Sequence, residues 1–173
     1  MTLLQRSAFP VDASTTFATE ATGGGCEAVT LRIYGRPAPQ GSKRSLGNGI
    51  MIESSKRARP WRNDVKIESR EQYRGPVLTG PVSVSITFWL PRPKSHYRTG
   101  RFAGQLKPNA PTHSTSCADG DLDKLLRCTL DGLSAKCGGW IIGDDSLVVQ
   151  LNGEKRYVTA TEGCGATIRV IQR

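Results

Sequence analysis

Residues 121–133, DLDKLLRCTLDGL, place Leu122, Leu125, Leu126, Thr129, Leu130 and Leu133 at helical spacing, which makes one apolar stripe. A helix with a single stripe must bury it against a second layer. The same segment has an acidic head. Asp119, Asp121 and Asp123 alternate there, in a chain whose formal net charge is +9. Three carboxylates so close repel one another unless a cation sits among them, and hard divalent ions take carboxylate oxygens.

The second layer is legible as strands. EAVTLRIYG alternates and is β-branched, and GPVSVSITFWLP puts Val82, Val84, Ile86 and Phe88 on one face. GIMIES is read as a short strand and WIIG as a short buried one. SLVVQLNGEKRYV and ATIRVI read as the last two strands, expected to pair as a hairpin. Pro60 suits the first turn of a helix from Trp61 to about Tyr73. RPAPQGSKRSLGNG reads as a loop, and residues 91–118 as a long polar loop with Arg92, Lys94, Arg98, Arg101 and Lys107 but no acid. Strands and helices mix without strict alternation. The expected fold is therefore α+β, a single domain with a mixed β-sheet packed against two main helices.

The chain has 173 residues, room for one domain with a real core. Residues 1–25 are rich in Thr, Ala and Ser and end in glycines. They are expected to be a disordered tail before a domain spanning 26–173, which holds 23 bases against 13 acids. Such a balance points to a polyanionic partner, most often nucleic acid. The five cysteines show no CxxC pairing, so zinc is not expected, and free thiols in a reducing cytoplasm are. No apolar run reaches the roughly 18 residues of a membrane span, and MTLLQRSAF is too short an apolar stretch for a signal peptide.

An EF-hand does not explain the acidic head: counted from Asp119, position 6 is Lys124 where glycine is needed and position 12 is Leu130 where glutamate is needed. A DxD transferase motif fits no better, because PTHSTSCA precedes it in place of a buried strand. Asp121 and Asp123 would point about 200° apart on a regular helix. They converge if Asp121 is the N-cap and Asp123 lies in the first turn, where the cap bond and helix dipole favour acid. Asp123, Arg127 and Asp131 then form an i, i+4, i+8 stripe away from the leucines. Acids at a helix start with an exposed ion pair are the plain alternative. Asp144 and Asp145 directly follow the apolar WIIG and supply further carboxylates, although a turn between strands would also favour aspartate.

With these residues assembled, the chain resembles the RusA-like endodeoxyribonucleases, the Holliday-junction resolvases of phages and prophages. The family pattern, D-x-D-[NK]-L-x-[KR], then D-A-L, D-D-x-Q-V-V and a lysine, appears as DLDKLLR at 121–127, DGL at 131–133, DDSLVV at 144–149 and Lys155. GRPAPQGSKR and PRPKSHYRTGR add to the likeness, which runs from about residue 32 to 158. Leu147 stands where the family usually has Gln, and ADG replaces a common Lys-Pro before the first aspartate.

The resemblance implies that Asp121, Asp123 and Asp145 are metal-binding catalytic carboxylates, for Mg²⁺ with Mn²⁺ as the alternative. It places Arg127 at the family's basic catalytic position and Lys155 at its downstream lysine. It implies a homodimer acting on branched DNA, with no small-molecule cofactor and no membrane association. Lys43, Arg44, Arg92, Lys94, Arg98, Arg101 and Lys107 are the expected DNA contacts, directed at backbone phosphates, which position DNA without reading sequence. His96 and Tyr97 are candidates for stacking on an unpaired base.

Overall fold

A computed structural model describes residues 28–41, 43–45, 51–53, 55–159 and 162–173. The expected tail, residues 1–25, lies outside the described residues, as do the side chains of Lys43 and Arg44.

The core is one four-stranded sheet with two helices on one face. Strand β1 (Ala28–Tyr34) buries Val29, Leu31 and Ile33, while Thr30 between them is exposed and Arg32 half-buried, as alternation demands. After it comes a small antiparallel ribbon of β2 (Lys43–Ser45) and β3 (Met51–Glu53), so the stretch read as all loop contains a strand. Helix α1 (Ala58–Gln72) follows, with Pro60 in its first turn as expected. Strand β4 (Val82–Leu90) buries Val82, Val84, Ile86, Phe88 and Leu90. Helix α2 (Leu122–Leu133) begins where the acidic head predicts. Strands β5 (Val148–Tyr157) and β6 (Gly165–Gln172) complete the sheet.

The strand order is β1-β6-β4-β5. β6 is antiparallel to both β1 and β4, whereas β5 lies parallel to β4 on the edge. The expected β5–β6 hairpin therefore does not form. The reason is burial: β6 offers Ala166, Ile168 and Val170, all fully buried, and so suits the centre. β5 carries NGEKR, exposes Val149 and Leu151, and suits an edge. Two parallel neighbours need a long crossover, which residues 91–147 supply together with α2. WIIG is not a strand either. Ile141 and Ile142 are fully buried, but Ile142 makes only isolated bridges, to Leu78 and Ser134.

The helices meet closely. α1 turns Ala58, Trp61, Val65 and Ser69 inward, and Trp61 Nε1 donates to Thr129 Oγ1 of α2 at 3.0 Å. At Gly132 a Cβ would come within 2.8 Å of Val65 Cβ, so only glycine permits this approach. That contact fixes one wall of the site. Among the described residues, no helix is long and apolar enough to cross a membrane.

Candidate active site

The three alternating aspartates separate in three directions. Asp119 is only 9% exposed; it accepts from Ser114 Oγ at 2.6 Å and faces Arg36 at 4.0 Å, so it braces the loop before α2. Asp121 is the N-cap by backbone geometry, with its carbonyl accepting from Leu125 N at 3.1 Å, but its carboxylate makes no cap bond. That carboxylate pairs with Lys124 Nζ at 2.7 Å and is 65% exposed. The Lys124 hydrogen bond and charge, with a lesser contribution from Lys155, hold the Asp121 carboxyl below its ordinary pKa. Asp123, in the first turn, lines an open cleft.

That cleft has a volume of about 500 Å³ and is lined by Gln40, Gly41, Asp123, Lys124, Arg127, Asp131 and Asp145. A smaller neighbour of about 290 Å³ is lined by the same Asp123, Arg127 and Asp145 together with Leu126, Leu130 and Leu151. Helical spacing delivers Asp123, Arg127 and Asp131 to one side of α2. Asp145 arrives from the 3₁₀ turn Asp145–Leu147 that leads into β5. The neighbouring Asp144 is engaged elsewhere. It accepts from Lys136 Nζ at 2.8 Å and Ser146 N at 2.9 Å, and these bonds hold it well below the usual carboxylate range.

Arg127 is exposed and, among the described residues, has no ion pair with either helical neighbour. The exposed ion pair of the plain alternative does not form at Arg127, and Asp131 instead accepts from Arg62 Nη1 and Gln40 Nε2, each at 3.3 Å. Lys155 sits in β5 and donates to Gly120 O at 2.9 Å, tying the sheet to the residue before the N-cap. Gly120 holds φ +83°, and a Cβ there would come within 2.5 Å of Pro39.

Asp121, Asp123 and Asp145 are not gathered into one cluster: among the described residues, no group of three His, Cys, Asp or Glu side chains is arranged to hold a metal. Asp123 and Asp145 share the cleft; Asp121 faces Lys124.

The basic loop is more ordered than its composition suggests. It contains 3₁₀ turns at Lys94–His96 and Gly100–Phe102, a Tyr97–Leu106 bridge and a Lys107 N to His96 O bond of 2.9 Å. Arg98 and Arg101 lie 4.0 and 4.6 Å from the Phe102 ring centroid. Lys94 and Lys107 are exposed, whereas Arg92 donates to Pro111 O at 2.7 Å and stacks on Tyr157, whose ring also takes the edge of His96. No residue of this loop lines either cleft. Gln40 and Arg62 were not singled out from the sequence, although Gln40 sits in the Pro/Gly segment that carries the likeness.

An acidic helix head followed by a strand entered through paired aspartates keeps the motif order of the resemblance. Residues 35–170 match the family model of endodeoxyribonuclease RusA. The chain belongs to the RusA endodeoxyribonuclease family. It is also 25% identical over 133 residues to the uncharacterized protein YqaN of Bacillus subtilis strain 168, covering 76% of this chain and 89% of that one.

Proposed function

We propose that this nuclease resolves four-way DNA junctions by Mg²⁺-dependent phosphodiester hydrolysis, with Mn²⁺ as a substitute ion. The observation that carries the reading is that Asp123, Arg127 and Asp145 line one open cleft in a chain of this family.

The donor set fits the ion. Mg²⁺ keeps several waters and is bound through one or two carboxylates plus substrate phosphate, which Asp123 and Asp145 can provide. Asp121 would join them on release from Lys124. Held there, such an ion would supply charge relief on the phosphoryl oxygens and activation of the attacking water. Arg127, which no carboxylate among the described residues holds, donates to the scissile phosphate and stabilises the charge that grows on it. Lys155 keeps the head of α2 against β5, which fixes Asp121 and Asp123 relative to Asp145.

Lys94, Arg98, Arg101 and Lys107 contact backbone phosphates, together with Lys43, Arg44 and Arg92. A C₂ homodimer would match the near two-fold symmetry of a four-way junction and allow paired cuts. The domain would span residues 26–173 and act where DNA is found, in the cytoplasm.

Cleavage of a four-way junction, a flap, a fork and linear duplex by the purified protein tests the reading. The junction should be cut fastest, with symmetric nicks, and excess EDTA should stop the reaction. Turnover in EDTA would remove the metal from the mechanism. A flap cut faster than the junction would make this a nuclease for other branched DNA, acting through the same residues.

A further inference from the structure

Asp131 lies one helical turn beyond Arg127 and lines the same cleft, a spacing at which the two side chains are neighbours. Two elements nevertheless converge to draw its carboxylate away. Arg62 reaches Asp131 Oδ2 from α1, and Gln40 reaches it from the loop after β1. Gln40 is fastened in place, because its main-chain N–H donates to Lys124 O at 3.0 Å. It presents Nε2 to Asp131 even though its own Oε1 is buried with no hydrogen-bond partner among the described residues. An amide that leaves one end unpaired is aimed by the bond at its other end. Gly132 brings α1 close enough for Arg62 to arrive.

We propose that Gln40 and Arg62 are positioning residues that hold Asp131 off Arg127, so that the guanidinium stays uncommitted for the substrate phosphate. This rests on the reading of Arg127 as the phosphate donor. Without the clamp, an unpaired carboxylate would face an unpaired guanidinium one turn away, and the two would pair. Arg127 would remain in the protein but be withdrawn from the reaction.

The experiment is a rescue. Arg62→Met should slow single-turnover junction cleavage by about 10–100-fold, approaching the 10²–10³ expected for outright loss of one transition-state donor. Adding Asp131→Asn should restore most of that rate, because the competing charge is gone. Arg62→Lys should stay near wild type. NMR of the metal-free protein gives an independent reading: the Arg127 Nε–H should exchange more slowly in Arg62→Met and return to its wild-type rate in the double variant. If Arg62→Met does not fold, Gln40→Leu keeps the Arg62 pair and carries the same test, with a smaller loss and the same rescue. A double variant as slow as the single one would overturn the inference, as would an Arg62→Met that cleaves normally. Asp131→Asn alone as slow as Arg127→Ala would overturn it too, by making Asp131 a reacting group. An Arg127→Ala protein that cleaves normally would instead overturn the functional assignment beneath it.

Discussion

Lys136 Nζ stands 2.8 Å from Asp144 Oδ2, and that contact separates the roles of two adjacent aspartates. Asp144 is fastened by Lys136 and Ser146 N, while Asp145 faces the cleft. Asp144→Asn should therefore cleave junctions within about threefold of wild type, roughly 0.7 kcal/mol of barrier. Asp145→Asn should fall to background. Single-turnover rates of the two proteins decide the matter, and the opposite order would exchange the assignments.

The same pair has a pH signature. The folded pKa of Asp144 is depressed, so the group stabilises the fold above its unfolded pKa of about 3.9 and loses that contribution as pH falls toward the lower folded value. In Lys136→Met the Asp144 carboxyl should titrate closer to the ordinary range, as followed by carboxyl-carbon NMR. Stability at pH 7 should move by less than about 1 kcal/mol, because Lys136 is exposed to solvent and Asp144 is only half-buried.

Lys124 competes for Asp121. A cation bound by Asp121 must displace a 2.7 Å ion pair, so Lys124→Met should lower the Mg²⁺ concentration for half-maximal cleavage by about two- to fivefold, the scale of a surface pair. A titration of rate against Mg²⁺ measures it. An unchanged midpoint would take Asp121 out of the metal site.

Arg127→Ala should cut the single-turnover rate by about 10²–10³ and leave stability within about 0.5 kcal/mol, since no ion pair is lost with it. Arg127→Lys should regain part of the rate, because the charge survives and the bidentate fork does not. A loss of melting temperature that parallels the loss of rate would mark the residue as structural.

Arg98 and Arg101 share the Phe102 ring. If both meet DNA, the double Ala variant should flatten the slope of log affinity against log salt by about 0.9 for each phosphate no longer neutralised. Phe102→Ala should flatten it partway, because the ring holds both guanidiniums. Equilibrium binding in the absence of divalent ion, over a range of salt, gives the answer.

Much of this was legible in the sequence because periodicity is a local signal. The α2 stripe, the alternation of β1 and β4 and the site of Asp121 at a helix start all depend on residues a few positions apart. Pairing is not local. The β5–β6 hairpin is the economical reading of two adjacent strands, and it gives way to a sheet in which β6, unlike β5, has the buried alternation its central place requires. The site divides in the same way. Asp123 and Arg127 follow from helical spacing, and their meeting with Asp145 agrees with the motif order. The destinations of Asp119, Asp121 and Asp131 depend on Ser114, Lys124, Arg62 and Gln40, whose distances no spacing rule contains.

The place of β6 also sets a timetable for biosynthesis. The strand that joins β1 to β4 is the last of the six to be made, so during translation the two older strands have no neighbour between them. The nascent chain can build its helices from local contacts, but the sheet cannot close until residues 165–172 have left the ribosome. Asp145 enters its turn beside β5, and β5 pairs with β4, whose other neighbour is β6, so that edge of the sheet gains its full support only after synthesis has passed β6.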